Sequence, residues 1–362
     1  MPQSLTAKPF EALRNLPLGH AVCGGIVCTV PALLAAYLHN PLFSWSAIAA
    51  FWSYLSIPTD KFTKRWVFGL VFSLAGTLAS GLGAWTVAWP ALAIGLAAVF
   101  GFAGAYAQTC GARIGFPALL VATAFAVSTA FPGKDLAHGV AYAGYFFCGS
   151  LWATSFALLF QRLAQSAPPV ATKGPGLWAA LKSNFTPKSP TFLHGLRVAL
   201  SGALSVWLVQ LWSLNHGYWM TLTAFLIMQP HIARTLKMSL ERVGGTLLGG
   251  AVAAAAGYAI HDPILLAALI LPLSIGTLAG RSVSHITYIL FLTPHFILVA
   301  QVGQPGGSEL DLVFLRMLYS VIGALLATVI SFVIFPRWQQ AEPTAGAPSS
   351  SAAASVHASP EA

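Results

Sequence analysis

Residues 18–38 read LGHAVCGGIVCTVPALLAAYL, a run without a single Asp, Glu, Lys or Arg. A helix needs about 20 apolar residues to cross the hydrocarbon core of a bilayer. This run has that length. It is too long for a signal-peptide core and no small-residue cleavage site follows it, so it reads as a first membrane helix that doubles as the targeting signal. Outward from it lie eleven further apolar segments: 41–57, 66–85, 90–110, 116–131 and 136–160, then 192–211, 217–229, 243–260, 263–278, 286–302 and 310–335. Several open at a proline (Pro41, Pro90, Pro263), where the fixed φ and missing N–H cost nothing.

Composition agrees. Of 362 residues, 57% are hydrophobic and 7% charged, against about 25% charged in soluble domains. So few charges cannot cover a water-facing surface. The net charge of +9 would suggest nucleic acid in a soluble chain. Here the basic residues cluster between apolar runs, which points to membrane topology and not to a nucleic-acid partner. With twelve crossings and the N-terminus inside, Lys61, Lys64, Arg65, Arg113, Arg162, Lys173, Lys182, Lys188, Arg234, Lys237, Arg242, Arg281 and Arg337 all fall on the inner side. Asp135, Asp262, Glu309 and Asp311 face out, with Lys134 the one basic residue among them. The bias follows the positive-inside rule and places both termini in the cytoplasm.

The reading is therefore an all-α polytopic membrane protein of about twelve transmembrane helices. Residues 1–164 form a first six-helix repeat, and 165–191, rich in proline and lysine, a cytoplasmic linker. Residues 192–338 form a second six-helix repeat, and 339–362, made of Ala, Ser and Pro, a disordered cytoplasmic tail. His20 and Trp45 are 25 residues apart, as are His194 and Trp219, and the same offset carries Phe51 onto Phe225. Six is an even number, so the halves share one orientation, as parallel repeats about an axis along the membrane normal. The four cysteines have no zinc-ligand spacing and read as packing residues.

The second half carries a denser pattern. Arg197 opens a helix; His216-Gly217-Tyr218-Trp219-Met220-Thr221-Leu222-Thr223 follows, then Gln229-Pro230, then Arg242-Val243-Gly244-Gly245-Thr246-Leu247-Leu248-Gly249. This resembles the fusaric-acid-resistance (FUSC) family of bacterial inner-membrane proteins, related to the aromatic acid exporters. The resemblance implies proton-motive-force-driven export of aromatic or other weak organic acids. The plant aluminium-activated malate channels look like distant relatives, so a passive organic-anion channel is the alternative. Many family members resemble two membrane blocks separated by large cytosolic domains, whereas the linker here is short.

Several residues carry chemistry, each beside a plainer reading. Gly245 and Gly249 form a Gly-x-x-x-Gly, which lets helix backbones approach closely. Tyr218 and Trp219 either anchor the membrane interface or stack on an aromatic substrate, with Trp45 as the repeat mate. Gln229 and His231 flank the break at Pro230 and either end a helix or serve substrate and proton. His295 lies in the middle of the eleventh helix and suits proton coupling, or is a satisfied structural histidine. Arg197 and Arg316 would attract a carboxylate; an ion pair with Glu309 or Asp311 is the plainer role for Arg316. No intramembrane acid is evident, Asp311 lying at the outer edge of its crossing, and this favours an anionic substrate over a cation. No metal-ligand set, nucleophile motif or cofactor fingerprint appears, so no enzyme, metal or cofactor is expected. The expected partners are small organic anions and the lipid bilayer, with a homo-oligomer or a partner envelope subunit left open.

Overall fold

The computed structural model describes residues 18–58, 62–130, 135–160, 176–302 and 309–334. Among these every regular element is helical: α1 (Leu18–Tyr37), α2 (Leu42–Ser56), α3 (Phe62–Trp85), α4 (Pro90–Tyr106), α5 (Ala112–Ser128) and α6 (Leu136–Leu159) come first. After them are α7 (Leu177–Asn184), α8 (Pro190–Leu211), α9 (Tyr218–Ile227), α10 (Ile232–Ala259), α11 (Pro263–Val283), α12 (His285–Val302) and α13 (Glu309–Val333). Each apolar segment of the sequence holds one of these helices. Seven helices (α1, α3, α4, α8, α11, α12 and α13) are long and apolar enough to cross a membrane. The expected tail at 339–362 and residues 165–175 of the linker lie outside the described residues. The linker's last part holds the short helix α7.

The packing is inverted relative to a soluble protein. Leu74 and Leu78 of α3, Leu248 and Val252 of α10, and Leu325, Val329 and Phe332 of α13 point outward. The interior is built from small residues such as Ala21, Ala32, Ala35, Ala47, Ala49 and Ala50. In lipid, burial of apolar area gives helices no reason to associate, so close backbone approach through small side chains supplies the contact energy.

Contacts recur between the two sets of six. In the first set α6 lies against α2 and α3, α5 joins α3 to α4, and α1 packs on α2. In the second set α13 lies against α9 and α10, α12 joins α10 to α11, and α8 packs on α9. Across the middle, α4 packs on α8 and α11 on α1. Details recur as well. α1 ends with the Asn40 N–H donating to the Ala35 carbonyl at 3.2 Å, and α8 with the Leu214 N–H donating to Val209 at 3.0 Å. The left-handed residues that permit these turns are His39 (φ 49) and Ser213 (φ 46). Gly149 of α6 abuts the Ser46 carbonyl, and Gly323 of α13 abuts the Met220 carbonyl; neither leaves space for a Cβ. All these pairs are 174 residues apart, as are His20 and His194.

α2 and α9 are short, at 15 and 10 residues, and both are buried along most of their length. α9 stops because Pro230 cannot continue a helix and pushes the residue before it out of the helical region. The Ile57-Pro58 step ends α2 in the same way.

Two expectations change. α10 starts at Ile232, eleven residues before the expected Val243, and runs for 28 residues. Arg242, expected in a basic loop, is therefore inside the helix and buried. Arg65, expected in a loop, is also buried, in the first turn of α3, where its Nη1 donates to the Ala157 carbonyl. Extending α3 and α10 towards their N-termini carries both arginines into the bundle.

Candidate functional site

The described charges divide the molecule into two ends. Lys64, Arg113, Lys182, Lys188, Arg234, Lys237 and Arg281 gather at one, and Asp135, Asp262 and Asp311 at the other. A cavity of about 630 Å³ opens at the acidic end. Its wall includes Ser44, Trp45, Thr129, Tyr142, Gln210, Asn215, His216 and Tyr218, brought there by the starts of α2, α6 and α9 and the end of α8. Beside it, sharing Trp45 and Tyr218 as walls, is a second space of about 10 Å³ between Trp45, Trp52, Tyr218, Trp219 and Phe296, with Arg316 also on its lining. A wide, half-polar mouth thus adjoins a small gap lined by aromatics and one guanidinium.

Trp219 is 2% exposed and sits between polar groups. The His216 imidazole stacks on it at 5.1 Å and 20°, Tyr218 meets it edge-on at 5.5 Å, and the Arg316 guanidinium lies 5.4 Å from its ring centre. His216 is held in left-handed backbone, φ 57, a conformation that is uncommon outside glycine. The turn that carries it aims the ring into the cavity. Burial pushes this imidazole below its ordinary pKa, so it is neutral at neutral pH.

Arg316 is 1% exposed, and none of Nε, Nη1 and Nη2 has a hydrogen-bond partner. The local ion pair with Asp311 does not form; the Glu309 side chain lies outside the described residues. A buried ion costs several kcal/mol of desolvation unless partners replace the water. A cation–π contact with Trp219 recovers about 2 kcal/mol at most in a desolvated setting, and it leaves the N–H donors unused.

Of the residues singled out by sequence, the structure brings Trp45, Tyr218, Trp219 and Arg316 together around this gap. Trp45 and Trp219 are buried, not displayed at a lipid interface. Arg197 is elsewhere, buried towards the basic end. Its Nε donates to the Ile334 carbonyl and its Nη1 to the Pro230 carbonyl, both at 3.1 Å, so it ties α8 to the ends of α13 and α9. Gln229 is at the same end, its N–H bonded to Thr235 Oγ1 at 2.9 Å and its Nε2 to the Met228 carbonyl. His231 is exposed at the start of α10. His295 is sealed within the bundle, its Nε2 3.1 Å from Cys28 Sγ and its ring against Phe51 at 4.7 Å. Gly245 and Gly249 face α12: a Cβ on Gly245 would stand 2.7 Å from Ile289, and one on Gly249 2.7 Å from the Leu290 carbonyl.

Sequence reasoning missed His216, Gln210 and Tyr142 on the wall, and Arg242 as a buried charge. His216 was visible as the residue ahead of Gly217-Tyr218-Trp219. Among the described residues no group of three or more His, Cys, Asp or Glu could hold a metal ion.

Residues 204–330 match a family model described as "Fusaric acid resistance protein-like". The chain is 30% identical over 156 residues to the uncharacterized protein slr1298 of Synechocystis, which covers 43% of this chain and 20% of that protein. It is 29% identical over 165 residues to the inner membrane protein YccS of Escherichia coli, 45% of this chain and 22% of that one. It is 26% identical over 167 residues to the uncharacterized protein ORF2 of Neisseria gonorrhoeae, 45% and 38%. The matched part of the chain thus spans only a fifth to two fifths of these relatives. No solved structure matches.

Proposed function

We propose, on the premise that this chain belongs through residues 204–330 to the fusaric acid resistance protein-like membrane proteins, that it is a secondary transporter exporting aromatic or other weak organic acids. The observation that carries this is Arg316, a buried guanidinium without a hydrogen-bond partner, on the lining of an aromatic-walled gap next to the cavity. Guanidinium takes a carboxylate through two parallel N–H···O bonds, and aromatic faces hold an aromatic ring. Among the described residues no acid lines the cavity or the gap to compete for the arginine.

The topology proposed with it is twelve crossings in two parallel six-helix repeats, supported by the recurring contacts and the 174-residue offset. The basic end faces the cytoplasm by the positive-inside rule, with both termini there and the cavity open outward. The bacterial inner membrane is the location, as the name of the Escherichia coli relative suggests. Rocking of the two repeats around the gap alternates access, and no catalytic step is involved.

The test is transport in proteoliposomes. Benzoate and related aromatic acids should cross under an imposed proton-motive force, and Arg316→Gln should abolish the flux. If no aromatic acid moves under any imposed gradient, the reading fails. A passive anion channel is the second reading. It is favoured by one observation: His231 and His295, the histidines expected to carry a coupling proton, do not line the cavity. Planar-bilayer currents that follow the anion gradient at equal pH would select it.

A further inference from the structure

Arg316 is not alone. One turn further along α13 lies Ser320, and on the facing helix α10 Arg242 and Thr246 repeat the same i, i+4 spacing. All four side chains are 0–1% exposed. All four hold polar atoms with no hydrogen-bond partner: Nε and Nη2 of Arg242, all three nitrogens of Arg316, and the hydroxyls of Thr246 and Ser320. The two helices pack along much of their length, with Ser239 Oγ 3.1 Å from Thr328 Oγ1 and Gly250 next to Val313 and Met317. Arg242 and Tyr218 are the ionisable groups whose electrostatic influence reaches Arg316. Two positive charges and two hydroxyls therefore share one dry seam.

We infer that this seam between α10 and α13 binds a single doubly charged organic anion, with Arg316 taking the acid group nearer the cavity and Arg242 the inner one. Two guanidinium groups that lack counter-charges leave a local charge of +2, and a monoanion neutralises half of it. A dianion neutralises both without burying a further charge, while the hydroxyls of Thr246 and Ser320 complete its acceptors. The inference rests on the transport reading for the anion's role as cargo, and on the geometry alone for its charge.

The experiment compares benzene-1,2-dicarboxylate with benzoate, at equal ionic strength, as ligands of the detergent-purified full chain, read by tryptophan fluorescence and by thermal unfolding. The dicarboxylate should bind at least ~10-fold more tightly, since a tenfold step needs only about 1.4 kcal/mol. Arg316→Gln should abolish binding of both probes. Arg242→Gln should abolish the preference while keeping benzoate, and Arg242→Lys, which retains the charge, should keep the preference. Equal binding of the two probes to the wild-type chain overturns the inference, as does a preference that survives Arg242→Gln. The same samples in proteoliposomes separate the two ideas. Binding with the expected preference but no flux of either anion removes the transport reading and leaves the seam, whereas benzoate flux without a dianion preference removes the seam alone.

Discussion

Trp45 and Trp219 stand 174 residues apart, each near the start of a short buried helix, yet the two halves surround them differently. In the first half the Trp45 Nε1–H donates to Ser80 Oγ at 2.8 Å, and the ring meets Phe146 at 5.5 Å and Trp52 at 5.8 Å. The indole N–H is satisfied, and one side of the ring is packed while another borders the cavity. In the second half the offset that carries Gly149 onto Gly323 puts Arg316 where the first half has Tyr142, and Ser320 where it has Phe146. At these two positions the first half has aromatic rings, and the second has an unpartnered guanidinium and hydroxyl. Both halves thus contribute to the cavity wall, Trp45 and Tyr142 from the first and His216 and Tyr218 from the second, while the unpartnered Arg316 comes from the second alone.

The largest expected effect tests the shared architecture. Gly149 and Gly323 each bring α6 or α13 onto a backbone carbonyl, of Ser46 or Met220. A leucine at either position must push two packed helices apart, at a cost of about 3 kcal/mol. Either Gly149→Leu or Gly323→Leu should remove the monodisperse peak in detergent size-exclusion chromatography. Collapse of one variant with the other intact would break the equivalence of the halves.

The next effect addresses their difference. Tyr142→Arg combined with Phe146→Ser copies the second-half pair into the first. Calorimetric titration with benzene-1,2-dicarboxylate should then show the bound anion rising from one towards two per chain. A stoichiometry that stays at one would mean that these two positions do not carry the distinction.

A smaller effect lies at the basic end. Arg197 has Cys23 at the corresponding place in the first half, so the tie to Pro230 and Ile334 belongs to the second half alone. Hydrogen bonds to a charged group contribute roughly 1.5–3 kcal/mol. Arg197→Met should therefore lower the melting temperature in detergent by several degrees and leave the KM of any transported anion unchanged. A raised KM with unaltered melting would return Arg197 to the substrate path.

Much of this was legible in the sequence, for definite reasons. Charge-free runs such as 18–38 fix where helices form, because lipid tolerates no unsatisfied backbone. The equally spaced pairs His20–Trp45 and His194–Trp219 stand at the same 174-residue offset at which contacts recur between the two sets of six helices. Arg316 was conspicuous as a charge within an apolar run. Arg242 was hidden, because it follows Arg234, Lys237 and Glu241 and so reads as part of a loop. What decides its burial is that α10 turns these exposed charges to one side while Thr235, Ser239 and Arg242 face the bundle. His216 was hidden for another reason: the cavity it lines is assembled from α2, α6, α8 and α9, and no local pattern encodes that meeting. Arg197 and His295 show the converse, since a charge or imidazole in an apolar run signals burial without telling whether a ligand or a carbonyl satisfies it.

The smallest effect concerns the acidic end. Asp135 caps α6 by accepting the His138 N–H at 2.8 Å, and its Oδ1 also lies 2.6 Å from His138 Nδ1. The backbone hydrogen bond first, and the imidazole second, hold this carboxyl below its ordinary pKa. The folded state thus binds the proton less well than the unfolded chain does. The cap's contribution is then fully present above the ordinary aspartate range near pH 4 and is lost as the pH falls through the lower folded value. Because the group is exposed, water screens most of the effect. Asp135→Ala should lower the melting temperature slightly at pH 7, and the gap from wild type should close on acidification below pH ~4. A gap independent of pH would show that the side chain acts through packing and not through its charge.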